Sequence, residues 1–376
     1  MKIPGYPDTL LCYCQNVHPA ETWDEAFSAI STHALAVRER VSPFSPFGLG
    51  LRLSKKAADT LIRPGNLAAF RDFLRSRDCY VFTINGFPYG NFHATPVKER
   101  VYAPDWRDAD RLSYTLSLAE ILAGLLPDGI SGSVSTVPGS WKPWLKGPGD
   151  VEEIRANLGR AALGLAEIFE RTGRTVNLAL EPEPGCLLET TRETIDFFDT
   201  LPDEARGRIG VCLDACHAAT VFEEPSESLA ALLKNGVPVF KVQVSAALSA
   251  ELPEGLAALK KFADPVYLHQ TRIIGEDGCI RAWDDLPEAL DAYNGGKGTC
   301  RVHFHVPLHT PPMPGFSSTA EGLSPLFFAL ALQGGVSHFE IETYTFDVLP
   351  PELKACGVVT SIAKEYGWVL SRLPGA

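Results

Sequence analysis

No stretch of this sequence approaches the roughly eighteen consecutive apolar residues that a membrane-spanning helix requires. The longest candidate, LFFALALQGGV (326–336), is too short and runs into Gly-Gly. The opening segment, MKIPGYPDTLLCYC, meets Pro and Asp before any apolar run forms, so no secretory signal and a cytoplasmic location are expected. The 9 cysteines are an odd number, and none forms a C-x-x-C knuckle, which argues against a structural zinc site and for free thiols in a reducing compartment. Basic residues are scarce: 34 Lys and Arg stand against 46 Asp and Glu, a formal net charge of −12 with no Lys/Arg run. An acidic surface repels a phosphate backbone, so no nucleic-acid partner is expected. No G-x-G-x-x-G follows the first apolar run, which leaves a dinucleotide site without support. No low-complexity block or Ser/Gly linker divides the chain, and residues 1–376 are expected to form a single domain.

What is present is an ordinary globular composition, 376 residues of which 45% are hydrophobic and 21% charged. Short apolar runs alternate with longer amphipathic segments. The strand candidates are LLCYCQN (10–16), FGLGLRLS (47–54), CYVFTING (79–86), GISGSVSTV (129–137), TVNLALEPE (175–183), IGVCLDA (209–215), VPVFKVQVS (237–245), CRVHFHV (300–306) and SHFEIETYT (337–345). Helical patterns lie between them, such as residues 22–41 and 150–173; the second opens on acidic residues and closes on Arg and Gly, as the helix dipole and C-cap favour. Strand and helix alternating every ~30–45 residues is the rhythm of a parallel sheet built from βα units. Eight such units close a (β/α)8 TIM barrel. The candidates number nine, so one of the later runs is expected to be an insertion or an extra strand near the carboxyl face of the barrel.

In a barrel, polar residues at the carboxyl ends of strands converge on one cavity. Here LALEPEP ends on Glu181 and Glu183, and VCLDACH ends on Asp214 with His217 one turn later. KVQVS ends on Gln243, HFHV carries His303 and His305, and FEIETYT carries Glu340 and Glu342. Each has a bland alternative: Asp214 suits the N-cap of the next helix, and a lone Glu or His is ordinarily solvated or structural. As a set they are harder to dismiss, because these strand ends carry almost no Lys or Arg to offset the carboxylates. A divalent cation (Mn²⁺, Mg²⁺ or Zn²⁺) would do so. Weaker candidates for contact with a small-molecule substrate are His18, Asn85, His93, His269, His305 and Trp141.

The motifs LALEPEP, GVCLDACHAA, KVQVS and FEIETYT, in that order, resemble the xylose-isomerase-like TIM-barrel superfamily, which holds sugar and sugar-phosphate isomerases and epimerases and the endonuclease IV type of abasic-site nuclease. More narrowly, FTINGFPYGNFH, KERVYAPDW, STVPGSW and FEIETYTFDVLP look like the EboE group of metabolite-traffic proteins. The superfamily resemblance implies metal ligands at Glu181, Asp214, Gln243 and Glu342, with Glu181, Glu342 and His217 acting on the substrate. Gln243 departs from the pattern, which usually has His there; His269 or His305 is the candidate to supply the missing nitrogen. The implied activity is metal-assisted proton transfer on a sugar, polyol or related hydroxycarbonyl. The EboE resemblance implies instead the binding or processing of a prenylated or lipid-like metabolite, and the charge of −12 ranks a nuclease last. The sequence is compatible with a monomer or an oligomer.

Overall fold

The computed structural model describes residues 1–93 and 96–374. Eight strands run parallel around a barrel: Tyr6–Tyr13, Phe47–Arg52, Cys79–Asn85, Gly132–Thr136, Val176–Leu180, Ile209–Asp214, Val239–Val244 and His338–Ile341. The eighth pairs in parallel with both the seventh and the first. The first and second meet through one parallel bridge, Cys14 to Gly50, so the ring is nearly closed. The segment Lys2–Ile3 adds a short antiparallel strand outside it. Because helices cover one face and the barrel interior the other, these strands are apolar almost throughout; every residue of Ile209–Asp214 is buried.

The helices follow their local signals. Thr22 and Glu25 form a reciprocal capping box that starts the helix at Trp23, and the expected single helix over 22–41 is interrupted by one wider turn at Ile30–Ala34. The longest helix, Pro148–Thr172, ends where Gly173 turns left-handed at φ 66°. No helix among the described residues is long and apolar enough to cross a membrane.

The run CRVHFHV is the supernumerary strand. All but its last residue belongs to the strand Gly298–His305, which pairs antiparallel with Ala247–Leu252 and Thr271–Gly275 in a separate five-stranded sheet completed by Ile280–Trp283 and Ser317–Ser318. This sheet is inserted between the seventh and eighth barrel strands, at the carboxyl ends where polar residues converge. A strand buried on both faces has the same sequence pattern in either sheet, so the pattern alone did not separate them.

The barrel interior contains one pair that the scarcity of strand-end cations did not foretell. Lys241 on the seventh strand contacts Glu340 on the eighth at 2.6 Å, both fully buried. Glu340 Oε2 has no aligned hydrogen bond, so the contact is ionic rather than directional. Gly50 makes room for it, since a Cβ there would fall 1.7 Å from Glu340 Oε1.

Glu365, on the closing helix Val358–Leu370, ties that helix to the barrel mouth. Its Oε1 accepts from the Leu308 amide at 3.1 Å and the Thr343 hydroxyl at 2.7 Å. Burial pushes this carboxyl from 4.5 up to about 7. Below the lower value it is protonated whether the chain is folded or not. Between the two values only the folded chain keeps the proton, so stability falls as pH rises through this window and the loss is complete above it. Wild type is expected to lose about 3 kcal/mol more than Glu365→Gln across it, as read by urea denaturation at a series of pH values.

Candidate metal centre

The fifth, sixth and eighth barrel strands deliver Glu181, Asp214 and Glu342 to one place. Each is buried, and donor atoms of the three lie within 4.8 Å of one another. Glu181 and Glu342 line a cavity of about 520 Å³, open mouth included, at the carboxyl end of the barrel. Gln243 is the in-register neighbour of Asp214 across the sixth and seventh strands, which turns both side chains to the same side.

Asp214 fulfils the bland reading and leaves an atom over. Its Oδ1 accepts from the His217 backbone amide at 2.9 Å and from the Ser245 hydroxyl at 2.8 Å, capping the short helix Ala215–Thr220. Its Oδ2 is buried with no partner among the described residues. The same is true of Glu181 Oε2, both polar atoms of the Gln243 amide, and His305 Nε2. A native interior rarely leaves so many polar atoms unpaired in one region. Carboxylate and amide oxygens with an imidazole nitrogen are the donor set of a divalent cation, so the residues present fit one.

Electrostatics agree with the geometry. Burial, opposed by His217 and assisted by Asp214, pushes Glu181 up to about 7. Burial followed by Glu181 and Asp214 drives Glu342 well above the carboxylate range. Burial works against the charge of Asp214 as well, but His217 and His305 beside it hold this carboxyl below its ordinary value. Three carboxyls this close cannot all carry charge without a cation. The Asn16 and Asn85 amides donate to Glu342 Oε1 at 2.6 and 3.0 Å and fix its orientation.

The remaining sequence candidates divide. His305 lies beside the cluster: its Nδ1 donates to the Glu342 carbonyl at 3.0 Å, and the ring joins Asp214 and His217 in a group whose donor atoms lie within 4.8 Å of one another. His217 donates from Nδ1 to the Pro182 carbonyl at 2.8 Å and faces the cavity. Three histidines stand behind the cavity wall instead. His269 is held between the His303 carbonyl and the Asp264 carboxylate, leaving neither nitrogen free, whereas His305 Nε2 has no partner among the described residues. His18 bonds Tyr13 and stacks on His33 at 4.6 Å, and burial presses it down to about 3. His93 bonds the Asn16 carbonyl at 2.8 Å. Trp141 reaches the cavity only through Tyr102, on which it stacks at 4.9 Å.

Sequence reasoning passed over Asn16, Tyr102, Gln270 and Tyr344, and gave Glu183 and His303 no role. Glu183 accepts from Tyr102 at 2.7 Å and Gln270 at 3.2 Å, and His303 lies 3.0 Å from His217. The two-residue spacing in LALEPEP and HFHV was the available signal. Outward from this polar floor the wall becomes apolar, with Phe87, Phe92, Val101, Tyr267 and Tyr344.

No family model matches the chain, and no curated protein does. Among solved structures it is similar to a D-allulose 3-epimerase from Methylomonas sp., with TM-score 0.52 and 14% identity over 99% of this chain and 100% of that one. It is also similar to a xylose isomerase domain protein from Planctomyces limnophilus, with TM-score 0.50 and 13% identity over 86% and 88% of the two chains. The narrower likeness to the EboE group draws no support from these comparisons. Barrel, strand order and neighbours together establish the fold of this chain as a (β/α)8 barrel.

Proposed function

We propose that this protein is a metal-dependent isomerase or epimerase acting on a sugar, polyol or related hydroxycarbonyl. The observation that carries the reading is the convergence of Glu181, Asp214 and Glu342, with the unpartnered Gln243 amide beside Asp214, at the carboxyl end of a barrel of this fold. The similar D-allulose 3-epimerase supports it at the level of fold. Glu181, Asp214, Gln243 and Glu342 would hold the ion, with His305 in reach of Asp214. A divalent ion in that position supplies Lewis-acid polarisation of a carbonyl and its neighbouring hydroxyl. Glu181 and Glu342, entering from the fifth and eighth strands, take up and return the carbon-bound proton. Asn16 and Asn85 keep Glu342 oriented while it does so. His217, held by the Pro182 carbonyl and paired through Nε2 with His303, lines the cavity where a substrate oxygen would enter.

A second reading, binding or processing of a metabolite that carries an apolar chain, is favoured by one observation, the apolar outer wall of the same cavity. One experiment separates the two. Wild-type protein with Mn²⁺ is incubated in D2O with a panel of ketoses and hydroxyketones, and deuterium entering the carbon next to the carbonyl is followed by NMR. Exchange is expected in wild type, with a loss of about 100-fold or more in Glu181→Gln and in Glu342→Gln. Absence of exchange across the panel, with uptake of an apolar fluorescent probe that Phe92→Asp abolishes, would replace the first reading by the second.

A further inference from the structure

We infer a second cation site in the same cavity, formed by Glu183, His217 and His303 and suited to a zinc-class ion. Donor atoms of these three buried residues lie within 4.8 Å of one another. They come from the segment after the fifth strand, the helix after the sixth, and the inserted sheet, so none belongs to the carboxylate set described above.

The hydrogen bonds fix which nitrogen of each ring is free. The His217 Nδ1 faces the Pro182 carbonyl at 2.8 Å, an oxygen that only accepts, so that nitrogen carries the proton. The His303 Nδ1 faces Gln270 Oε1 at 2.7 Å. The orientation of this amide is settled by its other end, where Nε2 donates to the Pro184 carbonyl at 3.0 Å and the Glu183 carboxylate at 3.2 Å. His303 therefore also carries its proton on Nδ1. The two Nε2 atoms face one another at 3.0 Å, and the Tyr344 hydroxyl lies 3.5 Å from that of His303.

With Nδ1 of each ring protonated, a 3.0 Å contact between the Nε2 atoms requires a positive charge there. Either a proton is shared or a cation is bound. Metal–nitrogen bonds of about 2.05 Å across this gap would subtend roughly 95°, between octahedral and tetrahedral angles, so a small opening suffices. Each imidazole already has the outer hydrogen bond that fixes a metal-ligating histidine in its tautomer. Glu183 supplies the charge, its Oε1 anchored by Tyr102 and Gln270. Two imidazoles and a carboxylate select zinc or a neighbouring transition ion, whereas the oxygen-rich set of Glu181, Asp214, Gln243 and Glu342 suits Mg²⁺ or Mn²⁺. The inserted sheet thus brings the site an ion of different character, and places it where His217 would otherwise meet a substrate oxygen directly.

The inference does not depend on the isomerase reading, and metal counting separates the two. Chelator-stripped protein is dialysed against Zn²⁺, which both donor sets accept, and bound metal per chain is measured by elemental analysis. Wild type is expected to hold two ions. His303→Ala, and independently Glu183→Gln, should hold one, while Glu181→Gln/Glu342→Gln keeps the ion at His217 and His303. Substitution by Co²⁺ gives a second readout, with the nitrogen-ligand visible absorption lost in the His303 variant and retained in the double carboxylate variant. One ion in wild type, unchanged by His303→Ala, means that the imidazoles share only a proton and overturns the second site. One ion that His303→Ala removes leaves the second site standing and overturns the carboxylate site. No ion in wild type overturns both. His303→Gln, which preserves volume and polarity, replaces the alanine variant should that one not fold.

Discussion

Asp214→Asn is expected to leave the metal-free protein folded and to remove its thermal response to Mn²⁺. The two carboxylate oxygens have separate tasks. Oδ1 caps the helix Ala215–Thr220 and accepts from Ser245, whereas Oδ2 is buried without a partner. Asparagine keeps an oxygen for the first task, so the cap survives and the cost to the apo protein should stay within about 1 kcal/mol. Loss of the negative charge also relieves repulsion with Glu181 and Glu342. At the second position an amide nitrogen replaces a ligand oxygen, and affinity for Mn²⁺ should fall by well over 100-fold, beyond the loss usual for an outer partner of a ligand. Thermal shift with increasing Mn²⁺ checks both halves. A variant whose shift equals that of wild type would reduce Asp214 to a helix cap and remove the basis for the carboxylate site.

Lys241→Met is expected to destabilise the protein by about 3–5 kcal/mol, the cost of leaving a buried charge without its partner. Lys241 and Glu340 are both fully buried at 2.6 Å, with Cys12 Sγ 3.5 Å from the carboxylate and Ser135 Oγ 3.5 Å from the ammonium. Burial opposes the charge on Lys241, yet Glu340 holds it above the ordinary lysine value. With the ammonium gone, Glu340 has no cation near and, beneath Gly50, no space to move. Lys241→Met/Glu340→Gln should recover most of the loss, since removing both charges leaves a polar amide in place of a stranded carboxylate. Chemical denaturation of wild type, the single and the double variant provides the test. A single variant within 1 kcal/mol of wild type would mean that Glu340 takes up a proton at little cost.

The sequence by itself determined the barrel and the positions of its polar strand ends, for a physical reason. Strands buried on both faces are short apolar runs, and their alternation with amphipathic helices repeats with a period that only βα units produce. Glu181, Asp214, Gln243 and Glu342 were legible because each is a polar residue closing such a run. The tertiary structure alone decided what those residues meet. In His303 and His305 the spacing gave a shared face, but the sheet that carries them is an insertion, and its antiparallel pairing depends on contacts between segments distant in the chain. His269 and His305 were equal candidates for the missing nitrogen; Asp264 and the His303 carbonyl occupy one, and nothing occupies Nε2 of the other. In the sequence Asp214 fits both cap and ligand, yet one oxygen caps and the other is left unpartnered among the described residues, and that division exists only once the sixth strand, the helix after it and Ser245 are folded together.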